Sequence, residues 1–328
     1  MARCLISFGA NIGLPAETIG QAAQQLQAQL ASGLRRFELS RLFRTPAVGG
    51  PGGQPPFINA VAALDVERIS AWDVWHAVRD IEQALGRVRV ERWEARRIDL
   101  DVLMFEDERI WTPHFKLPHP RMVMRRFILE PALDVAEAWR EPVTGMTIAE
   151  LANRLRSGPA SIALLASNLP QAQVLLERAA AKSGSQWLTP NVAPRGAAGS
   201  ADLASSSTSS PVPFSSSIET AELPPAGRWI GMIPLHALET LQAAEIEPPP
   251  KLVCVLADAV TAVGAAWEDV HRSLAVRLGF CGSSGNCNPS NWPLIGPRYL
   301  LASDDASWAE HEIVAAMEAM DCPVEVAL

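Results

Sequence analysis

Asp99 and Asp101 stand two residues apart in the run Arg96-Arg97-Ile98-Asp99-Leu100-Asp101-Val102-Leu103-Met104-Phe105. In a strand, residues two apart project to the same face, so the two carboxylates sit side by side while Ile98, Leu100 and Val102 turn to a core. Adjacent carboxylates repel unless a cation lies between them. Hard oxygen ligands on a rigid element suit Mg²⁺, which keeps several waters and takes its remaining oxygens from nucleotide phosphates. Arginines crowd the neighbouring sequence: Arg87, Arg89, Arg92, Arg96, Arg97, Arg121, Arg125 and Arg126, in a chain whose net charge is -8. Arg grips phosphate with a fixed fork of donors. Acid-held metal beside such donors is what phosphoryl transfer requires. Taken alone, an Asp-x-Asp edge and an Arg-rich run also read as a solvated charged surface.

Other chemistries fall away on inspection. No G-x-x-x-x-G-K-[ST] loop occurs, nor a kinase-type glycine loop before a lysine strand. Gly49-Gly50-Pro51-Gly52-Gly53 resembles a phosphate cradle only in composition, and with Pro at its centre it reads as a flexible loop. The acidic balance argues against a nucleic-acid partner. Only a short apolar run precedes Gly9, too short for a signal peptide or membrane span, so no membrane association is expected. Cys4, Cys254, Cys281, Cys287 and Cys322 are odd in number and scattered, which implies no disulfide framework and a reduced, cytoplasmic protein. Cys281 and Cys287 lack the further ligands a structural zinc site needs.

The elements that must position the carboxylates follow from periodicity. Cys4 to Phe8 reads as a buried strand, and a helix starts near Pro15 with Ile19, Ala22, Ala23, Leu26 and Leu30 at helical spacing. Phe37 to Phe43 reads as a second strand, Thr45 to Pro56 as a loop and Ile58 to Val66 as a third strand. Ser70 caps a helix that presents Trp72, Trp75, Val78 and Ile81 on one face, with Glu82 as a surface ion-pair partner or a functional acid. Ile98 to Phe105 is the fourth strand, and helical patterns follow Arg126 and span Met146 to Leu155. The expectation is an α+β sandwich of ferredoxin-like kind.

At 328 residues the chain has room for about two domains. Residues 1–156 form the first expected unit, and an α/β unit begins within 157–189. Residues 190–225, rich in Ser, Pro and Ala, read as a disordered linker, because they lack the apolar periodicity that would offset their ordering entropy. Residues 226–328 complete a second, smaller α/β domain, with a strand at Lys251 to Ala257, helices at Ala266 to Leu278 and Trp308 to Met320, and a strand at Tyr299 to Ala302.

The first half resembles the 6-hydroxymethyl-7,8-dihydropterin pyrophosphokinases. The likeness covers about residues 2–155 and rests on several motifs in order. They are Gly9-Ala10-Asn11, Phe43-Arg44-Thr45-Pro46, Pro56-Phe57-Ile58-Asn59-Ala60, and Ile81-Glu82 with Gly86-Arg87-Val88-Arg89. Arg92-Trp93 ahead of Asp99-Leu100-Asp101 follows, then Leu117-Pro118-His119-Pro120-Arg121-Met122 with Arg125-Arg126-Phe127. The resemblance implies transfer of a diphosphate from ATP to a pterin alcohol, with pterin and ATP as the small-molecule partners. Asp99 and Asp101 would hold two Mg²⁺ ions. Arg87 and Arg96 would neutralise the β- and γ-phosphates, with His119 and Arg125 completing that shell. Asn59 would hydrogen-bond the pterin, Phe57 and Phe127 would stack on its faces, and Thr45, Pro46 and Val48 would line its pocket. Trp93 would lie in a loop that closes over the site.

Glu94 replaces the Gly of the family pattern, Phe43 replaces Tyr, and the segment between Arg89 and Arg92 is one residue shorter. These departures bear on rate more than on reaction type, and none removes a metal ligand. A catalytically silent pterin- or nucleotide-binding protein is the rival reading. The motif residues all lie before Arg156, so the first unit is expected to act without the second. Gly296-Pro297-Arg298-Tyr299-Leu300 and the last helix faintly resemble the end of deoxynucleoside-kinase-like domains. Without a Walker loop, the C-terminal unit is expected to be a scaffold or a self-association module.

Overall fold

Apolar residues alternating in the first ten positions build strand β1 (Ala2–Ala10), whose Cys4, Ile6 and Phe8 face one side and Leu5 the other. In a computed structural model that describes residues 1–86, 95–194, 227–234, 244–257, 296–302 and 305–327, this strand is the centre of an antiparallel sheet. Around it run α1 (Pro15–Gln29), β2 (Leu34–Leu39), β3 (Phe43–Thr45), β4 (Phe57–Val66), α2 (Ala71–Ala84) and β5 (Asp99–Phe105). A hairpin of β6 (Ile110–Trp111) and β7 (Lys116–Leu117) leads through a 3-10 turn to α3 (Arg126–Ala136) and α4 (Ile148–Arg156). Proline in the first turn starts α1. Ser70 and Asp73 close a reciprocal capping box on α2, worth about 1 kcal/mol.

Strand order in this sheet is β5-β1-β4-β3, with β2 also on β4. Even-numbered residues such as Ile6, Phe8, Ala62, Leu100 and Val102 pack against α1 and α2. Leu5, Val61, Ala63 and Leu103, on the opposite face, pack against α3 and α4. The period of two assigns each strand residue to one layer.

The second half forms another sheet from β8 (Ser161–Ala166), β9 (Gln186–Leu188), β11 (Trp229–Pro234), β13 (Leu252–Ala257) and β14 (Arg298–Ala302). All its pairings are parallel, in the order β14-β13-β8-β11-β9. Helices α5 (Leu169–Ser183) and α6 (Ala306–Asp321) belong to this half, and β10 (Asn191–Pro194) pairs with β12 (Ala244–Glu247). The chain then returns to the first sheet, where β15 (Glu325–Val326) pairs with β3. One apolar cluster runs through both halves: Leu5, Leu129, Leu151 and Leu155 belong to it together with Ile162, Leu252, Ile313 and Met317.

Three local expectations change. Phe37 to Phe43 is not one strand, because Ser40 breaks it. The Ser40 hydroxyl accepts the Val61 N–H at 3.0 Å, and the pairing resumes one residue out of step at Phe43–Asn59. Trp72 is 41% exposed instead of lying on the buried face of α2, and it meets Trp75 and Phe115 edge-on. Asn191 to Pro194, expected within the linker, is a strand because β12 supplies its hydrogen-bonding partner. Arg87, Trp93, Glu94, most of the expected linker and the helix expected at Ala266 to Leu278 lie outside the described residues.

Candidate active site

The sheet register assembles the site. Asn59 on β4, Gly9 on β1 and Asp99 on β5 lie opposite one another in a single lateral row. Two residues along the same face come Val61, Ser7 and Asp101. The carboxylates therefore point to one side, as the spacing requires, while Ile98, Leu100 and Val102 are buried on the other. A side chain at Gly9 would press on Asn59, since a Cβ there would stand 3.3 Å from the Asn59 amide oxygen. Asn59 is buried and donates to the Thr45 hydroxyl at 2.9 Å, which fixes the direction of its amide.

Asn11 holds the approach to Asp99. Its side-chain oxygen accepts the Arg96 N–H at 2.7 Å, its own N–H donates to the Arg96 carbonyl at 3.1 Å, and its amide nitrogen reaches the Pro55 carbonyl at 3.2 Å. Arg96 so held donates to Asp99 at 2.5 Å. In the sequence Asn11 stands in the turn motif Gly9-Ala10-Asn11, which by itself assigns it no role. Its pattern of Asn after a strand-ending Gly was the available signal.

Glu82 does have an ion-pair partner, Arg79 at 3.9 Å, but it is not a surface group. It is buried on α2, and its Oε1 accepts the Leu100 N–H at 2.9 Å, between the two aspartates in sequence. Its function is to hold the β5 backbone. Glu82→Ala leaves that buried N–H without its acceptor, which costs about 1–3 kcal/mol. A lowered Tm in thermal unfolding, with Glu82→Gln recovering much of the loss, is the expected outcome.

On the far side of Asp101 stands His119. Its N–H donates to the carbonyl of Leu103, where the β1–β5 register shifts, at 2.8 Å. Its Nδ1 accepts the Arg121 N–H at 3.3 Å, so the neutral ring carries its proton on Nε2, which lies 3.7 Å from Asp101. Burial, then the charges of Arg125 and Arg121, hold the His119 pKa well below the usual histidine range. Arg125 makes no ion pair among the described residues, and its guanidinium lies over the Phe127 ring at 5.4 Å. Burial, with Arg121 beside it, brings the Arg125 pKa down to about 10.

Thr45 is buried, Val48, Phe57 and Phe127 are half-buried, and Pro46 is exposed. Thr45 pairs with Phe57 across β3 and β4, so these two are brought together with Asn59. Phe57 and Phe127 make no ring contact with each other among the described residues. Arg87 and Trp93 are outside those residues. No cluster of three or more metal-ligating side chains occurs among the described residues. Two partly exposed carboxylates on one strand face nevertheless fit Mg²⁺, which needs few protein oxygens when phosphates and water supply the rest.

The model of the 7,8-dihydro-6-hydroxymethylpterin-pyrophosphokinase (HPPK) family matches residues 5–137, the segment that holds every site residue above. A Pseudomonas aeruginosa 2-amino-4-hydroxy-6-hydroxymethyldihydropteridine pyrophosphokinase is 38% identical over 43% of this chain and 84% of its own length. This chain belongs to the HPPK family. A Synechocystis relative of the same name is 33% identical over 45% of this chain and 73% of its own. Both alignments use less than half of this chain, so the HPPK match leaves its second sheet uncovered. A crystal structure of Plasmodium falciparum HPPK-DHPS with pteroate aligns at 13% identity and a TM-score of 0.37, and the alignment spans about half of each chain (54% and 53%).

Proposed function

We propose that this chain transfers the diphosphate of ATP to 6-hydroxymethyl-7,8-dihydropterin, giving the pterin diphosphate and AMP, a step of folate biosynthesis. The observation that carries the reading is the lateral row Asn59–Gly9–Asp99, with Asp101 one step along it and His119 beside that, in a member of the HPPK family. A silent binding protein would have no need to keep both carboxylates, Arg96, His119 and Arg125 together.

Asp99 and Asp101 would hold two Mg²⁺ ions. Bound there, the metal supplies charge neutralisation on the phosphate oxygens. Arg96 presents its guanidinium beside Asp99, and Arg125 offers a cation to the same phosphates, with Arg87 in the adjoining segment. Neutral His119 has its Nε2 proton available to hydrogen-bond a phosphate oxygen. Asn59 reads the pterin edge, because its amide is pinned by Thr45. Thr45, Pro46 and Val48 line the pterin pocket, and Phe57 and Phe127 enclose the ring. By the family resemblance, Trp93 would cover the loaded site. The pterin hydroxymethyl oxygen forms the new bond to the β-phosphorus, the bond to the α–β bridging oxygen breaks, and the hydroxyl proton passes to solvent. Positioning and charge cancellation suffice, without a covalent enzyme intermediate.

We read the first half as a ferredoxin-like sandwich, supported by its strand order, and the second as a smaller α/β domain after a Ser- and Pro-rich linker. Among the described residues no helix is long and apolar enough to cross a membrane, and a cytoplasmic protein is the reading that fits folate chemistry. Self-association through the second half is a further proposal. The deciding measurement is AMP release from ATP and Mg²⁺ with and without the pterin alcohol. Pterin-dependent AMP with the pterin diphosphate as co-product is expected, and its absence would reject the assignment.

A further inference from the structure

Helix α6 lies outside the segment that matches the HPPK family, yet it touches both loops beside the site. Glu312 on α6 is 2% exposed, and its two oxygens take Arg121 Nε at 2.9 Å and Nη2 at 2.6 Å. The Tyr299 hydroxyl, from β14, donates to the same carboxylate at 2.8 Å, and Arg121 Nε also approaches that hydroxyl at 3.3 Å. Arg121 in turn gives its backbone N–H to His119. At the position preceding Glu312, His311 Nε2 meets the Gly49 carbonyl at 2.7 Å. Glu318 accepts the Gly49 N–H at 3.0 Å. Gly49 lies in the loop between Thr45 and Phe57.

The electrostatics give Glu312 a purpose beyond packing. Arg121, Arg125 and Lys116 all raise the positive potential at His119. Arg121 and Arg125 also oppose each other's charge across a buried space. A bidentate carboxylate neutralises one of the two arginines and leaves Arg125 as the cation offered to phosphate. It also gives Arg121 one fixed direction, and the backbone of Arg121 then sets the ring of His119.

We propose that Glu312 is a positioning residue for diphosphate transfer, holding through Arg121 the loop that carries His119 and Arg125. The second half of the chain would then act as a brace on the catalytic half, with α6 as the contact. This inference rests on the pyrophosphokinase reading above.

The test measures AMP release, affinity for a non-hydrolysable ATP analogue with Mg²⁺ by calorimetry, and Tm, in the full-length chain. Glu312→Gln keeps the shape and removes the charge. It is expected to lower kcat/KM for ATP by about ten- to a hundredfold, the scale of an ångström-sized misplacement of catalytic groups. Analogue affinity should fall with it, while KM for the pterin stays near the wild-type value. The double variant Glu312→Gln/Arg121→Ala should be no worse than Arg121→Ala alone, because residues that act as a unit are not additive. If Glu312→Gln does not fold, Arg121→Lys carries the same test, keeping the charge and losing the fork. Wild-type kcat/KM in folded Glu312→Gln or Arg121→Lys, or additive losses in the double variant, overturns the brace alone. A wild-type chain without pterin-dependent AMP release overturns the parent activity and the brace with it.

Discussion

Asp99→Ala and Asp101→Ala each abolish pterin-dependent AMP release while the protein stays folded. The expected loss is at least about a thousandfold, the upper range for removing one electrostatic partner of a transition state. Both side chains are partly exposed: 25% for Asp99 and 34% for Asp101. Asp99 has Arg96 as an ion-pair partner, and Asp101 meets His119 only at 3.7 Å, beyond hydrogen-bond range. Ion pairs of this exposure contribute about 0–1 kcal/mol to folding. Relief of repulsion between neighbouring carboxylates offsets part of that loss. Catalysis and stability should therefore separate cleanly, with activity lost and Tm moved by only a few degrees. Turnover within tenfold of wild type in either variant would reject the carboxylate pair as the metal-holding group.

A chain ending at Arg156 melts at least about 10 °C below the full-length protein and loses most of its activity. This reverses what the position of the motifs predicts. Leu129, Leu151 and Leu155 share their apolar cluster with Ile162, Leu252, Ile313 and Met317, so truncation bares one side of it. Re-exposing each such side chain costs about 1.5–3 kcal/mol, and three of them approach the whole stability of a typical domain, about 5–15 kcal/mol. For a piece this size about 1 kcal/mol moves Tm by 2–4 °C. Polar losses add to this. Arg121 loses Glu312, and β3 loses its β15 partner at Arg44–Glu325 and Phe43–Val326. The Val143 carbonyl loses Arg298, which donates to it at 2.7 Å. Urea or thermal unfolding of residues 1–156 beside the intact chain checks the stability, and the AMP assay checks the activity. Equal Tm and equal turnover would show that the second half is dispensable.

The contrast between these two expectations follows from the range over which each feature is specified. The carboxylate pair is a two-residue pattern on one strand, and a period of two decides its geometry without knowledge of any neighbour. Capping at Ser70, the start of α1 at Pro15 and the burial of Leu100 between two aspartates are equally local, and sequence alone determined them. So did the family, because its motifs sit in order within residues 5–137. Other features depend on partners far along the chain. Glu82 looks like any helical acid until the Leu100 N–H is brought against it. Asn11 gains its task only when Arg96 folds back across 85 positions. Ser40 breaks a strand because Val61 lies opposite, and Asn191 to Pro194 forms one because Ala244 to Glu247 does. Glu312 belongs to no motif in the sequence, yet it is buried against an arginine 191 residues earlier. Burial of a charge is set by what packs over it, and that is decided only when the two halves close on one core.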